Sequence, residues 1–228
     1  MKMPRIPKHP LPPSAVKAPR IPSAAARAVL DAAEALAQTR GYNGFSYADV
    51  AAQLGVTKAS LHYHFPTKAK LGRALIERYH VSFIEALGAI DREAHEPCGK
   101  IQRYIALYES VLRNDRMCLC GMLAAEYATL PQPMQLQLQL FFDANERWLA
   151  TVLEAGSRIG QFAFAESTVE RARSLMGALE GALLIARCYG DVRRFRVAAD
   201  CILADLCRAP ARHPRIHVAG KRARAGGT

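Results

Sequence analysis

The chain has 228 residues, half of them apolar, and a formal net charge of +11. That length can bury a substantial core, as one large domain or as a small domain joined to a larger one. No uncharged run of about 18 apolar residues occurs, so we expect no membrane span and no membrane partner. Prolines interrupt residues 4–13, which excludes a signal-peptide core and predicts a cytoplasmic protein. The six cysteines are therefore expected to be thiols.

The excess positive charge lies at the two ends of the chain. Residues 1–22 carry five basic side chains and no acidic one, and residues 208–228 carry six and none. These two ends account for the whole excess, so the part between them is neutral. Their Pro-rich and Ala/Gly/Arg-rich compositions predict disordered basic tails. The tails either solubilise the protein or attract phosphate without sequence preference.

The part between the tails predicts an all-α fold, because its apolar residues recur mainly at spacings of three and four. Capping residues and helix-breaking residues set the boundaries of the predicted helices. Leu30, Ala33 and Ala37 mark the buried face of the first helix. The predicted helices run from Ser23 to about Arg40, from Ser46 to Gly55, from Thr57 to the residue before Pro66, from Thr67 to about Ala94, and over about 98–114, 118–130, 134–160, 168–190 and 193–207, with Pro131 and Pro133 separating the sixth from the seventh.

Two capped helices joined by a glycine turn are predicted for residues 46–65, SYADVAAQLGVTKASLHYHF. Apolar stripes on both helices can meet in one small core. At 100° per residue, the second helix turns Ala59 and Tyr63 outward, with Ser60 and His62 beside them and Lys58 in its first turn. That surface suits a helix entering the major groove. Periodicity alone favours an ordinary helical hairpin whose polar side chains face water.

The stretch from about residue 24 to residue 79 resembles the DNA-binding domain of the TetR/AcrR family of transcriptional regulators. Residues 41–71, GYNGFSYADVAAQLGVTKASLHYHFPTKAKL, carry the matching features in order: an aromatic residue and glycine after the first helix, D-V-A, L-G-V and L-x-x-H-F-x-x-K. The family usually has tyrosine directly after the recognition-helix leucine, where this chain has His62. The resemblance implies a helix-turn-helix domain over 23–72 and an effector-binding and dimerisation domain over 73–207.

The resemblance also implies which residues contact double-stranded operator DNA. Lys58, Ser60 and His62 would face bases or phosphates, and Tyr63, His64 and Lys68 would position the backbone. Lys68 lies in the first turn of a helix, where free N–H groups also favour an anion. The complete predicted DNA-binding set is Ser46, Tyr47, Thr57, Lys58, Ala59, Ser60, His62, Tyr63, His64 and Lys68.

The last two predicted helices have a composition suited to a dimer interface. Small residues allow close helix approach and larger ones supply apolar surface; the predicted interface residues are Leu175, Gly177, Ala178, Gly181, Ala182 and Ile202. On composition, these helices fit the core of the monomer equally well. The resemblance implies a homodimer, because the family pairs its last two long helices across the dimer. Two recognition helices would then read a palindromic operator.

The middle helices contain aromatic and thioether side chains suited to a pliable effector pocket or to a plain core. The candidates for contact with a small-molecule effector are Tyr104, Tyr108, Cys118, Met122, Phe142 and Trp148. A metal site at Cys118 and Cys120 is disfavoured, since helical residues two apart point about 200° from each other. A helix N-terminus would lower the pKa of Cys118 and favour a reactive thiol, whereas burial would leave it inert. The segment resembles the effector domain of electrophile-sensing members of the family.

The function predicted from these features is a transcriptional regulator, a repressor released from its operator by a small-molecule or electrophile effector. No G-x-S-x-G, Gly-rich phosphate loop or H-E-x-x-H motif occurs, so we expect no catalytic residues, no cofactor and no metal. The alternatives to a regulator are an enzyme and an architectural DNA-binding protein that uses only its basic tails.

Overall fold

A computed structural model describes residues 23–207 of the chain. Within that range the protein consists of nine α-helices and one short 3-10 helix, with no β-strand, which confirms the all-α prediction. The predicted basic tails, 1–22 and 208–228, lie outside the described residues. None of the helices between residues 23 and 207 combines the length and apolar character that crossing a membrane requires.

The helices follow one another with short connections. They are α1 (Ala24–Arg40), α2 (Tyr47–Leu54), α3 (Lys58–His64), α4 (Lys68–Glu93), α5 (Pro97–Arg113), α6 (Leu119–Ala125), α7 (Gln132–Arg158), α8 (Thr168–Cys188) and α9 (Val192–Leu206). A 3-10 helix, Tyr127–Thr129, lies between α6 and α7.

Local capping explains the boundaries of the first helices. The Ser23 hydroxyl accepts a hydrogen bond from the Ala26 N–H (3.2 Å) at the start of α1. Ser46 and Asp49 form a complete capping box at the start of α2. Gly55 ends α2 in the left-handed conformation, with a φ of 66° that glycine adopts without steric cost. These boundaries confirm the predicted ones.

Two predicted boundaries were wrong. The helix predicted over 118–130 ends at Ala125, and its last turn is replaced by Glu126 and the 3-10 helix. The next helix begins at Gln132, ahead of Pro133, rather than at residue 134. Pro133 fits inside the first turn because the N–H groups of that turn have no partner within the helix.

The helices share one continuous hydrophobic core. α1, α2 and α3 pack together at one end, and α4 runs from that end into the larger bundle, where it contacts α7. α7 in turn packs against α8, and α8 against α9. A Cβ on Gly72 would lie 2.6 Å from the Met134 sulfur, so the glycine lets Met134 of α7 pack directly against α4. The predicted division between residues 72 and 73 falls within continuous α4 and stays a prediction.

Candidate functional site

The exposed face of α3 is held outward by a buried anchor on its other side. Leu61 is fully buried and packs in the same core as Val50 of α2. The opposite face carries five exposed side chains, those of Lys58, Ala59, Ser60, His62 and Tyr63. Tyr63 is 84% exposed. No carboxylate lies within α3, so nothing on this helix repels a phosphate.

Two of the predicted DNA-binding residues, Ser46 and Thr57, cap helices in this region, and a third, His64, is half-buried. The Ser46 hydroxyl donates to Asp49 Oδ2 (2.6 Å) and accepts from the Ala48 N–H. The Thr57 hydroxyl accepts from the Ser60 N–H (3.3 Å) and caps α3. His64 is half-buried, with its ring 5.1 Å from that of Tyr63 in an edge-to-face arrangement. The Ser46 and Thr57 contacts fix the starts of α2 and α3.

Tyr47 was predicted to contact DNA, but its side chain is buried. Its hydroxyl donates a hydrogen bond to the Phe65 carbonyl (2.6 Å), which ties the start of α2 to the end of α3. Burial raises the pKa of Tyr47 to about 12, so the hydroxyl stays protonated as a donor. Because both the ring and its proton are used internally, Tyr47 positions the two helices.

His62, which stands where the resembled family usually has tyrosine, is fixed by two contacts. Its Nδ1 donates to the Pro66 carbonyl (3.2 Å), since a carbonyl oxygen can only accept. Its ring lies 4.6 Å from the ring of Tyr47. The imidazole is therefore exposed on one side and held in place on the other.

Lys68 points into the protein rather than toward a phosphate. Its ammonium donates to the carbonyls of Tyr42 (2.5 Å) and Phe45 and lies 4.5 Å from the centre of each of those rings. Burial lowers the pKa of Lys68, and neighbouring carboxylates oppose that shift. Lys68 was predicted to contact a DNA phosphate, but its ammonium is used within the protein. There it holds the α1–α2 turn against α4.

A groove of about 360 Å³ lies between the N-terminus of α2 and α3. Lys58 brings an exposed cation to this groove. The lining residues are Phe45, Ser46, Tyr47, Ala48, Lys58, His62 and Lys68. The exposed Lys58 ammonium makes this groove suited to an anion such as a DNA phosphate.

Glu126 and Arg187 join the first three helices to the larger bundle. The Glu126 carboxylate accepts the N–H groups of Tyr42 (2.6 Å) and Asn43 (3.2 Å) in the α1–α2 turn. Arg187 of α8 donates to the carbonyls of Gln38 (3.0 Å) and Thr39 at the end of α1. Sequence reasoning missed both, because the partners are more than eighty residues apart and carry no local signal.

Glu126 also explains the glycine at the end of α1. Gly41 has a φ of 80°, and a Cβ there would lie 2.8 Å from Glu126 Oε1. A third link runs from α4 to α1, where Arg78 pairs with Asp31 and Glu34 at 2.5 Å each. The α1–α3 unit is thus attached to α4, α6 and α8 through side chains as well as through the continuous α4.

Apart from Cys118, the predicted effector residues divide into a central group of three and two residues outside it. Tyr104 and Tyr108 are buried, their hydroxyls are 3.1 Å apart, and the Trp148 ring stacks on Tyr104 at 5.5 Å. Outside this group, Phe142 packs on Phe141. Met122 lies beside Arg187, whose guanidinium is 3.5 Å from its sulfur.

The reactive-thiol interpretation of Cys118 is contradicted by its environment. Cys118 is buried, and its sulfur accepts a hydrogen bond from the Gly121 N–H (3.4 Å) as the N-cap of α6. Burial and the nearby Glu180 raise its pKa well above the usual thiol value. The thiolate that an electrophile would need is therefore disfavoured, and Cys118 acts as a structural cap.

Glu180 of α8 is a half-buried acid that sequence reasoning missed. Burial raises its pKa to about 7, despite interactions with Cys118 and Tyr108 that favour the carboxylate. Its Oε1 is inaccessible to solvent and has no hydrogen-bond partner among residues 23–207. Its carboxylate lies so close to Gly121 that a Cβ there would be 2.3 Å from Oε2. The only local sign was one acid in an otherwise small and apolar stretch.

α8 and α9 present an apolar surface to solvent. Of the predicted interface residues, Gly177, Ala178 and Gly181 are exposed, and Ala182 and Ile202 are half-buried. Leu175 was assigned to the interface, but it is buried in the core of its own chain. The large exposed apolar side chains on this surface, which the prediction missed, are Leu184, Ile185 and Val197.

A shallow groove of about 680 Å³ runs between α8 and α9 across this surface. Gly181, Ile185 and Val197 line it, with Arg193 and Arg194 at one end. A Cβ on Gly177 or Gly181 would meet no atom of residues 23–207 within 4 Å. Packing among these residues therefore does not explain the two glycines, whereas close approach of another helix would.

Comparison with known proteins places this arrangement among bacterial regulators. Residues 29–75 match the family model described as bacterial regulatory proteins, tetR family. A TetR-family transcriptional regulator from Agrobacterium tumefaciens is 29% identical, with 81% of this chain and 98% of that chain covered and a TM-score of 0.78. A TetR transcriptional regulator from Legionella pneumophila is 34% identical, covering 78% and 95% of the two chains, with a TM-score of 0.72.

One curated relative has a more specialised name. Nucleoid occlusion factor SlmA from Photobacterium profundum is 29% identical over 154 residues, which are 66% of this chain and 77% of that protein. The match to the Legionella protein spans nearly its whole length, so the similarity extends beyond the α1–α3 region.

Proposed function

The chain belongs to the TetR family of DNA-binding transcriptional regulators, and on that premise we propose that it is a homodimeric repressor released from its operator by a small-molecule effector. The single observation that carries the proposal is the exposed, carboxylate-free face of α3 on a buried anchor. Proteins use such a helix to reach base edges in the major groove while neighbouring groups contact phosphates.

We assign the DNA contacts to the residues of α3 that reach solvent. Ser60, His62 and Tyr63 offer hydroxyl, imidazole and phenol groups to base edges and phosphates. Lys58, on the groove between α2 and α3, supplies the positive charge for a phosphate. Tyr47 and Lys68 support this surface from behind through the contacts described above, so they affect DNA binding indirectly.

The homodimer is supported by the exposed surface of α8 and α9. Large apolar side chains such as Ile185, which is 54% exposed, are costly to leave in water. Residues 23–207 leave the space in front of Gly177 and Gly181 open, which fits close approach of the same helix from a second copy. A two-fold dimer would place its recognition helices on half-sites one helical turn, about 34–36 Å, apart.

Release from DNA requires a connection between the larger bundle and α1–α3. We propose that an effector bound near the Tyr104, Tyr108 and Trp148 cluster shifts α4 and α6, and that Glu126 transmits the movement to the α1–α2 turn. The two N–H groups held by Glu126 lie in that turn, which leads directly into α2. A shift there would change the angle of the recognition helix and the spacing of the two half-sites.

The Glu126 connection is tested by Glu126→Gln. Replacing the carboxylate by an amide removes the charge from both hydrogen bonds, so we expect about tenfold weaker operator binding with unchanged helical content. Fluorescence anisotropy with labelled operator measures the affinity. Glu154→Gln, at an exposed position of α7, is the matched control and should bind as the wild type does. Wild-type affinity in Glu126→Gln would remove Glu126 from the proposal.

The regulatory function is tested by selecting an operator from randomised DNA duplexes with the full-length protein. We expect a palindromic consensus, and a reporter promoter carrying it should be silenced when the protein is expressed. Activation of the reporter would contradict the repressor assignment. Failure to enrich any sequence would contradict sequence-specific binding itself.

A further inference from the structure

Two cysteines far apart in sequence meet at the end of the bundle remote from α3. Cys98 lies in the first turn of α5 and Cys207 directly follows α9. Their sulfur atoms are 3.8 Å apart, although 109 positions separate them along the chain. Cys207 is exposed and Cys98 half-buried, so small oxidants can reach the pair. Cys118 and Cys120, by contrast, are buried in the core.

The connection between α7 and α8 holds both cysteines in place. Gln161 in that connection accepts the Cys98 N–H (3.3 Å) and donates to Glu96 Oε2 (2.5 Å), which fixes the start of α5. The Ala163 N–H donates to the Leu206 carbonyl (3.2 Å), which fixes the end of α9. The two sulfurs are therefore brought together by backbone and side-chain contacts that do not involve the thiols.

We propose that Cys98 and Cys207 form a reversible intramolecular disulfide when the protein meets a peroxide. A disulfide bond is about 2.05 Å long, so the sulfurs must approach by a little under 2 Å, a movement that rotation of two short side chains supplies. The proposal concerns a covalent modification of this pair and is independent of the proposed effector response.

The chemistry balances with hydrogen peroxide as the oxidant. One cysteine, as its thiolate, attacks a peroxide oxygen; the O–O bond breaks and leaves a sulfenic acid and hydroxide. The sulfur of the second cysteine attacks the sulfenic sulfur, the S–O bond breaks, and a second hydroxide leaves. The two thiol protons convert both hydroxides to water. Two thiols are thus oxidised to one disulfide while one peroxide is reduced to two waters.

The disulfide would join the start of α5 to the end of α9 and enclose every helix between them. Closing so long a loop restricts the unfolded chain, so the oxidised protein should unfold at a higher temperature than the reduced protein. Since α9 contributes to the apolar surface proposed for dimerisation, the bond would also fix the end of that surface to the rest of the chain.

The test uses purified full-length protein treated with hydrogen peroxide, alkylated, and mapped by mass spectrometry without reduction. We expect a peptide containing Cys98 joined to one containing Cys207, its loss on treatment with dithiothreitol, and a higher melting temperature before that treatment. Cys98→Ser and Cys207→Ser should both abolish the linked peptide and the rise in melting temperature.

Cys201→Ser is the matched control, since Cys201 is an exposed cysteine of α9, the helix that Cys207 directly follows. This variant should keep the linked peptide and the rise in melting temperature. Oxidation of Cys98 to sulfinic acid, disulfides only between separate chains, or loss of the effect in Cys201→Ser would each overturn the proposal.

Discussion

Replacing Lys68 by methionine separates a positioning role from a phosphate contact. Methionine keeps an unbranched apolar side chain of similar length, so Lys68→Met removes mainly the ammonium. In the folded chain that group donates to the carbonyls of Tyr42 and Phe45 and lies over both rings. The substitution therefore detaches the α1–α2 turn from the start of α4.

The loss can be estimated from the two kinds of contact. A hydrogen bond to a charged group contributes about 1.5–3 kcal/mol, and a cation over an aromatic ring about 0.5–1 kcal/mol at an exposed site. The cost of partly burying the ammonium offsets a share of this gain. We expect Lys68→Met to lower the free energy of unfolding by about 2–3 kcal/mol, as measured by urea denaturation.

Operator binding gives the second measurement, because each phosphate contact adds about 0.9 to the slope of log affinity against log salt concentration. Lys68→Met should bind more weakly with the slope of the wild type. Lys58→Met is the matched control: its side chain is exposed, so stability should change by less than about 0.5 kcal/mol while the slope falls. Unchanged stability together with a reduced slope in Lys68→Met would refute the positioning role.

Three further predictions concern the larger bundle. Burial raises the pKa of Glu180 to about 7, so the folded chain keeps a proton that the unfolded chain loses near pH 4.5. The protonated carboxyl therefore stabilises the folded chain fully below that pH, and this stabilisation is lost as the pH rises through 7. Between pH 5 and pH 8 the free energy of unfolding, measured by urea denaturation, should fall by up to about 3 kcal/mol more in the wild type than in Glu180→Gln. Ile185→Asp should give monomers in analytical ultracentrifugation with helical content intact, and a persistent dimer would place the interface elsewhere. Cys118→Ser should leave effector-induced release from DNA unchanged, as measured by anisotropy; loss of release would restore the thiol-sensor interpretation.

The helix boundaries at the N-terminal end were predictable because their causes are local. Ser46 and Asp49 are three residues apart and form their capping box within one turn. Gly55 meets the need for a left-handed residue at the end of α2. The outward face of α3 followed from helical periodicity once Leu61 was recognised as its anchor. Each of these inferences needed only neighbouring residues.

The directions of individual side chains could not be predicted in the same way. Lys68 and Tyr47 turn toward carbonyls supplied by other segments, and the sequence around them does not reveal those acceptors. Periodicity identified an apolar stripe on α8 but not its neighbour, so Leu175 was assigned to a second chain although it lies in the core of its own. Glu126 reaches Tyr42 across 84 positions, a separation at which local patterns carry no information.

A hydroxyl-radical footprint of the full-length protein on its selected operator tests the central claim most directly. We predict two symmetric protected patches about one helical turn, or roughly 34–36 Å, apart, with protection lost when the exposed Tyr63 and Lys58 of α3 are both replaced by alanine. A diffuse or asymmetric footprint that survives the double substitution would contradict sequence-specific reading by α3 in a dimer.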